Sequence, residues 1–301
     1  MLSAAKGVFI VAQTPFDETG AIDGNSIDSL CEFYFRHGAD GLTVLGVSGE
    51  AGKLTSGEAV AVAARFIGNA GTRPVVVGVS SPSLAQLGEL TTKVMDHGAA
   101  GVMIAPPAGL KTDEDLLAYF DAVYTRIGDV PTVLQDFPQA SDVWMSVPAM
   151  LRLIDTFPQL QLIKEEDLPS LGKIGRLRES TGRRVPILTG NNAMYLPLEL
   201  ARGADGPMAG FSYPEMLSGV YRRHTAGDLD GAERLFARYL PLLRYEAMGS
   251  FGIAARKEVM RRRGAIRHAT VRTPGPRLTP TDLAEIDRLV AQVDRSVADL
   301  T

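Results

Sequence analysis

The chain of 301 residues has a single cysteine, Cys31, which excludes an internal disulfide bond and fits a reducing compartment. No apolar stretch approaches the ~18 residues that a membrane-spanning helix needs. The apolar run Val8 to Ala12 ends before Pro15 and is too short for the core of a signal peptide. These absences predict a cytoplasmic protein that does not enter membranes.

Basic residues are not in excess, since 31 Lys and Arg stand against 35 Asp and Glu, for a net charge of −4. The longest basic run, Arg261 to Arg263, follows an apolar helical pattern and is typical of a solvated helix end. This charge balance argues against a general nucleic-acid binder.

Histidine is also scarce, and the four histidines lack the spacing of metal ligands. His37 and His97 fall at predicted helix ends, and His224 and His268 lie in a helical tail. The chain has no G-x-S-x-G motif, so a serine hydrolase is unsupported. We therefore expect neither a bound metal nor a Ser/His/Asp triad.

The chain contains a short sequence pattern that occurs three times. Each copy has a basic residue, then a glycine, then a small residue, between a helical pattern and an apolar run. Glycine suits the left-handed position just past a helix end, and the basic residue suits the negative end of the helix dipole. The pattern predicts three helix-to-strand corners, at residues 37–41, 97–101 and 202–206.

Eight apolar runs alternate with segments of helical period over about 220 residues. Near-continuous apolar strands between helices predict parallel strands buried on both faces, and eight such units favour a (β/α)₈ barrel. The alternative, a doubly wound sheet, would need a Gly-rich turn after strand one, where the sequence is AQTP. The predicted strands are 8–12, 42–47, 75–79, 102–105, 132–134, 160–163, 185–188 and 208–210.

Beyond Phe211 only helical patterns remain, at residues 215–225, 229–248, 253–263 and 280–300. The first can serve as the eighth barrel helix. We therefore predict a barrel over residues 1–225 and a helical extension over 226–301, packed on the barrel because no linker separates them.

In such a barrel the reactive groups gather at the carboxyl ends of the strands. Lys164 is the only lysine at these ends. If it faces a pocket, desolvation favours the neutral amine, which can attack a ketone to form a Schiff base. The alternative is a surface lysine paired with Glu165, Glu166 and Asp167, the carboxylates that follow it.

The loop Gly46-Val47-Ser48-Gly49-Glu50 follows the second strand and consists mainly of small residues. Its backbone N–H groups and the Ser48 hydroxyl are suited to bind a carboxylate, although a simple tight turn has the same composition. An imine-forming lysine opposite a carboxylate site predicts a 2-oxo acid as the ligand, with the protonated imine as electron sink.

With these landmarks in order, the chain resembles the family of dihydrodipicolinate synthase and N-acetylneuraminate lyase, nearly end to end. The resemblance implies a (β/α)₈ barrel, Lys164 as the imine-forming residue, no cofactor besides the covalent imine, and Gly46 to Gly49 as the carboxylate site. It also implies a homotetramer or dimer. The matching stretches are 11–16, 46–50, the loop around 106–107, 136–138, 163–165, 189–191 and 256–274.

Departures from the family pattern bear on the reaction. Gln135 and Val47 stand where the family has the tyrosine and hydroxyl residue of a proton relay. Ala108 and Ala140 replace a second tyrosine and an arginine for the distal carboxylate. Amide and alkyl groups do not pass protons as hydroxyls do, so synthase activity is not expected.

Gln135-Asp136 at the end of strand five instead resembles the sugar-acid branch, such as 2-keto-3-deoxy-L-arabonate dehydratase. We therefore expect a lyase that dehydrates or cleaves a 2-keto-3-deoxy sugar acid. Proton transfer is left open among Glu165, Asp136 and a water held by Gln135. Other hypotheses are pyruvate condensation and a barrel that binds a 2-oxo acid without catalysis. The residues expected to contact sugar hydroxyls are Thr189, Asn191, Asn192, Ser212 and Tyr213.

Overall fold

The computed structural model describes residues 2–298, with eight parallel strands that form one closed barrel in chain order. The predicted (β/α)₈ architecture is confirmed. Each predicted strand is present, although strand two ends at Val44 and the residues after it form a turn. The strands are β1 Phe9–Val11, β2 Gly41–Val44, β3 Val75–Gly78, β4 Gly101–Ile104, β5 Thr132–Asp136, β6 Leu160–Glu165, β7 Ile187–Thr189 and β8 Gly206–Ala209.

Helices follow the strands around the outside. Thr55, Ser83, Thr112 and Ser146 cap the starts of four helices, because each accepts a hydrogen bond from the first turn of the helix that it precedes. The helices are α1 Gly24–Arg36, α2 Ser56–Ala70, α3 Leu84–Asp96, α4 Asp113–Ile127, α5 Pro138–Ser141, α6 Val147–Thr156, α7 Ser170–Glu179, α8 Leu196–Ala201, α9 Pro214–Thr225, α10 Leu229–Glu246, α11 Gly249–Arg262 and α12 Pro280–Ala298.

The three repeated corners lie where the sequence predicts them. Gly38, Gly98 and Gly203 have φ of 91°, 94° and 94°, values that favour glycine, and each directly follows a helix that packs on the barrel. The chain can therefore turn back into β2, β4 and β8 within a few residues.

Side chains alternate between the barrel interior and the outer layer of helices, as the pleat of a strand requires. Most strands give one residue to a small interior cluster that includes Val133, Leu162 and Leu188. Their neighbours along the strands, such as Leu134 and Ile163, join the larger core beneath the helices. This alternation decides which strand-end residues face the interior.

The last three helices pack against the barrel through α10, which contacts α9 and α8. The predicted boundary at residues 225 and 226 falls in the turn between α9 and α10. From α11, Arg256 and Lys257 contact loops that follow the barrel strands, at Asn192 and at Thr14 and Glu50, and both side chains are almost completely buried. Within residues 2–298, no helix combines the length and apolar character needed to span a bilayer.

Candidate active site

Lys164 and Gln135 lie side by side in the barrel interior. They are paired across β5 and β6, each two residues beyond an interior core residue, Val133 or Leu162. Because side chains alternate along a strand, both point inward above the core. Lys164 is only 5% exposed, so the alternative of an ordinary surface lysine does not hold.

A carboxylate that was not among the predicted site residues, Glu166, contacts both of these side chains. Its Oε2 lies 2.8 Å from Lys164 Nζ and accepts a hydrogen bond from Gln135 Nε2 at 2.7 Å. Lys164 is therefore buried next to an acidic partner, and the two groups can exchange a proton. Glu166 lies two residues beyond Lys164, and its backbone N–H still pairs with the Asp136 carbonyl, so the alternation of β6 continued by one residue gives it the same inward direction.

The turn after β7 holds Glu166 in place. The Asn191 backbone N–H donates to Glu166 Oε1 at 3.3 Å, and Asn191 Nδ2 donates to the Glu166 carbonyl oxygen at 3.0 Å. A Cβ on Gly190 would lie 2.2 Å from Glu166 Cγ, so only glycine allows the carboxylate to occupy this position. The predicted site residue Asn191 thus contacts Glu166 directly.

Lys164 opens into a cavity of about 410 Å³ above the barrel interior. This volume is within the range of small-molecule sites. One side is formed by Val47 and Ser48, and another by residues of the β7 turn, β8 and the C-terminal helices. The lysine and the predicted carboxylate loop therefore border the same space.

The loop Gly46 to Gly49 is a single 3-10 turn with a constrained backbone on both sides. Leu45 and Glu50 have φ of 57° and 56°, which is rare for side chains of their size. The Gly49 N–H donates back to the Gly46 carbonyl, and the Gly49 carbonyl accepts from Thr14 Oγ1. The remaining donors of the turn are the N–H groups of Val47 and Ser48 and the Ser48 hydroxyl.

Three other predicted site residues face away from the cavity. Asp136, Glu165 and Thr189 are paired in register across β5, β6 and β7, one residue beyond the layer of Gln135 and Lys164. Alternation therefore turns them toward the outer helices, where each is fully buried. They do not line the cavity, and we do not assign them contact with the substrate.

The outward carboxyl groups form a buried network of their own. Lys173 from α7 donates to Asp136 Oδ2 and, at 2.9 Å, to Asp167 Oδ2. Burial raises the pKa of Asp136 to about 6, although Lys173 opposes the shift, and burial with the nearby Asp136 charge raises the pKa of Glu165 to about 10. The raised pKa favours the protonated form of Glu165, which relieves the repulsion between the two neighbouring carboxyl groups.

Ser212 and Tyr213 also lie outside the cavity lining. Ser212 donates to Glu246 through its N–H and its hydroxyl. Tyr213 packs under the guanidinium of Arg263, whose Cζ is 4.1 Å from the ring centre. The structure therefore brings Lys164, Gln135, Val47, Ser48, Asn191 and Asn192 together around the cavity, with Gly46 and Gly49 shaping the loop.

A model of the dihydrodipicolinate synthetase family matches residues 4–293 of the sequence. The chain belongs to this family. Its members are lyases, among them synthases, aldolases and dehydratases, that act through a Schiff base on a lysine. The family assignment and the class I lyase activity predicted from the sequence are confirmed.

Individual relatives carry different activities. A 4-hydroxy-tetrahydrodipicolinate synthase from Sorangium cellulosum is 34% identical over 79% of the chain and 78% of its own length. An L-2-keto-3-deoxyarabonate dehydratase from Azospirillum brasilense is 29% identical over 96% of the chain and 94% of its own length. The crystal structure of a dihydrodipicolinate synthase from Rhodopseudomonas palustris has a TM-score of 0.95 and 43% identity, over 97% and 99% of the two chains.

Proposed function

We propose that this lyase forms an imine between Lys164 and a 2-keto-3-deoxy sugar acid, and then dehydrates or cleaves the acid. The observation that carries the proposal is the contact of Lys164 with Glu166 inside a cavity that Ser48 borders from another side. The N–H groups of Val47 and Ser48 would bind the C1 carboxylate, which places the C2 ketone over the lysine.

In this proposal, Glu166 is the residue that transfers protons. It accepts a proton from the Lys164 ammonium, the neutral amine attacks C2, and the proton passes to the C2 oxygen to give a carbinolamine. Glu166 then moves a second proton, from the carbinolamine nitrogen to the C2 hydroxyl, which leaves as water as the iminium forms. Gln135 holds the carboxylate but transfers no proton itself. The three groups lie within hydrogen-bonding distance, so no larger movement is required.

The iminium then permits either of two reactions. In dehydration, a carboxylate removes a C3 proton, and the C4 hydroxyl leaves as water when it is protonated in turn. In aldol cleavage, the C4 hydroxyl loses its proton, the C3–C4 bond breaks, and the resulting enamine is protonated at C3. We favour dehydration because the dehydratase from Azospirillum brasilense matches the chain almost end to end.

Reductive trapping tests the imine. Borohydride with a 2-keto-3-deoxy acid or pyruvate should attach the reduced acid to Lys164, seen by mass spectrometry of the peptide that contains it. Lys164→Met should give no adduct, whereas Lys93→Met, on the exposed face of α3, should label like the unchanged protein. An unlabelled Lys164 with every acid tried would reject both the lyase proposal and the alternative of imine-based binding.

Pyruvate condensation is the second candidate, because the relatives from Sorangium cellulosum and Rhodopseudomonas palustris are named as synthases. Against it, Gln135 occupies the interior position beside Lys164, and an amide cannot relay a proton. Turnover of pyruvate with an aldehyde substrate, measured against turnover of 2-keto-3-deoxy acids, separates the two functions. If the protein turns over neither kind of substrate but borohydride still traps an acid on Lys164, a non-catalytic barrel that binds 2-oxo acids is favoured.

A further inference from the structure

Arg256 reaches the cavity from the C-terminal extension, far from Lys164 in sequence. It is 1% exposed and lies on α11. Its Nε donates to Glu246 Oε2 at 3.0 Å, and its Nη2 donates to Asn192 Oδ1 at 2.7 Å. Two nitrogens of the guanidinium are therefore held by the protein.

The third nitrogen, Nη1, has no hydrogen-bond acceptor among the residues that the structure describes. A Cβ on Gly210 would lie 2.5 Å from Nη1, so the absence of a side chain at the end of β8 makes room for it. Arg256, Gly210 and Lys164 all line the same cavity. A fixed guanidinium with a free end is a ready donor to a bound molecule.

The charge around Arg256 identifies the kind of group that it would bind. Glu246 neutralises the guanidinium, and its own oxygens are occupied by Ser212 and Arg256. Apart from this pair and the ion pair of Lys164 with Glu166, the polar residues that line the cavity are neutral, among them Asn192 and Ser250. Such a subsite matches hydroxyl oxygens better than a second carboxylate, which would need an uncompensated cation.

We propose that Arg256 Nη1 binds the hydroxylated tail of the 2-oxo acid and thereby selects sugar acids over pyruvate and over dicarboxylates. This inference rests on the proposed function, since the tail is placed by an imine at Lys164. Arg256 is then a specificity residue supplied by the helical extension, and the three-carbon acid pyruvate, which has no tail, does not depend on it.

The test compares three acids in borohydride trapping at Lys164: a 2-keto-3-deoxy pentonate, pyruvate and 2-oxoglutarate. For Arg256→Lys, the pentonate concentration that gives half-maximal adduct should rise about 10-fold to 100-fold, because a hydrogen bond from a charged group is lost. The value for pyruvate should change less than about 2-fold. Arg244→Lys, at an exposed site on α10, serves as the matched control.

A second variant covers the case in which Arg256→Lys does not fold. Asn192→Gly removes the acceptor for Nη2 at a half-buried position with φ of 53°, which glycine adopts freely, and should weaken trapping by the pentonate about 3-fold to 10-fold. Equal weakening for pyruvate and pentonate, no change for either, or preference of the unchanged protein for 2-oxoglutarate would overturn the inference. Failure of the unchanged protein to trap any acid would instead reject the proposed function itself.

Discussion

At the scale of single residues, two adjacent glutamates on β6 and just beyond it provide a sharp test of the site. Glu166 contacts Lys164, whereas Glu165 faces the outer helices. Glu166→Gln should lower kcat about 10²-fold to 10⁴-fold, because an amide cannot carry the proton. Glu165→Gln, its matched control, should lower kcat less than about 3-fold in the same assay near neutral pH. Comparable losses in the two variants would contradict the assignment.

The residues around Lys164 show which parts of the candidate site can be predicted from the sequence. Lys164 and the loop at Gly46 to Gly49 could be identified because strand ends are recognisable locally. Nearness to strand ends also predicts Asp136, Glu165 and Thr189 as site residues, but the period of two along β5, β6 and β7 places them on the opposite face from Lys164. The same period, continued one residue past β6, places Glu166 on the inner face with Lys164.

At the scale of elements, the buried network between β5, β6 and α7 makes stability depend on pH. The pKa of Glu165 is raised to about 10 in the folded protein, so unfolding releases its proton once the pH exceeds the ordinary glutamate value. This contribution is therefore present in full at acidic pH and declines as the pH rises toward 10. The raised pKa of Asp136, about 6, acts in the same direction.

Urea denaturation at pH 6 and pH 9 checks this expectation. Glu165→Gln mimics the protonated group, so it should unfold with less dependence on pH and exceed the unchanged protein by about 1–3 kcal/mol at pH 9. Glu89→Gln, on an exposed surface of α3, should follow the unchanged protein at both values. Parallel pH profiles for Glu165→Gln and the unchanged protein would show that no buried proton is held.

Helix starts and corners are more predictable from the sequence than the contacts between helices and strands. Helix starts such as Thr55 and Thr112, and corners such as Gly38, depend on a few consecutive residues, so their signals are complete in the sequence. The end of β2 is less predictable from the sequence. The left-handed backbone of Leu45 is imposed by the surrounding structure and not by the preference of leucine.

At the scale of the whole molecule, the helical extension supplies side chains that no local pattern predicts. Arg256 lines the cavity, and Lys257 beside it binds Glu50 at the end of the carboxylate loop with Nζ–Oε1 of 2.5 Å. The residues of this ion pair are 207 positions apart, a separation that periodicity cannot address. Barrel and extension therefore line the cavity together.

Lys257 gives the last prediction, because it also donates to the carbonyl oxygens of Thr14 and Thr270 at 2.8 Å. Lys257→Met should lower the free energy of unfolding by about 3 kcal/mol, since it leaves Glu50 buried with the partly exposed Lys53 as its remaining side-chain cation. The loosened loop should also raise the pyruvate concentration that half-saturates trapping at Lys164.

A double-mutant cycle with Glu50→Gln separates the ion pair from general damage to the core. If Lys257 acts through Glu50, the double variant should lose less stability than the two single losses together, because neither charge is left unpaired. Strictly additive losses, or lost stability with unchanged pyruvate trapping, would mean that the extension supports the barrel without setting the carboxylate loop. Urea denaturation and trapping on the same samples give both readouts.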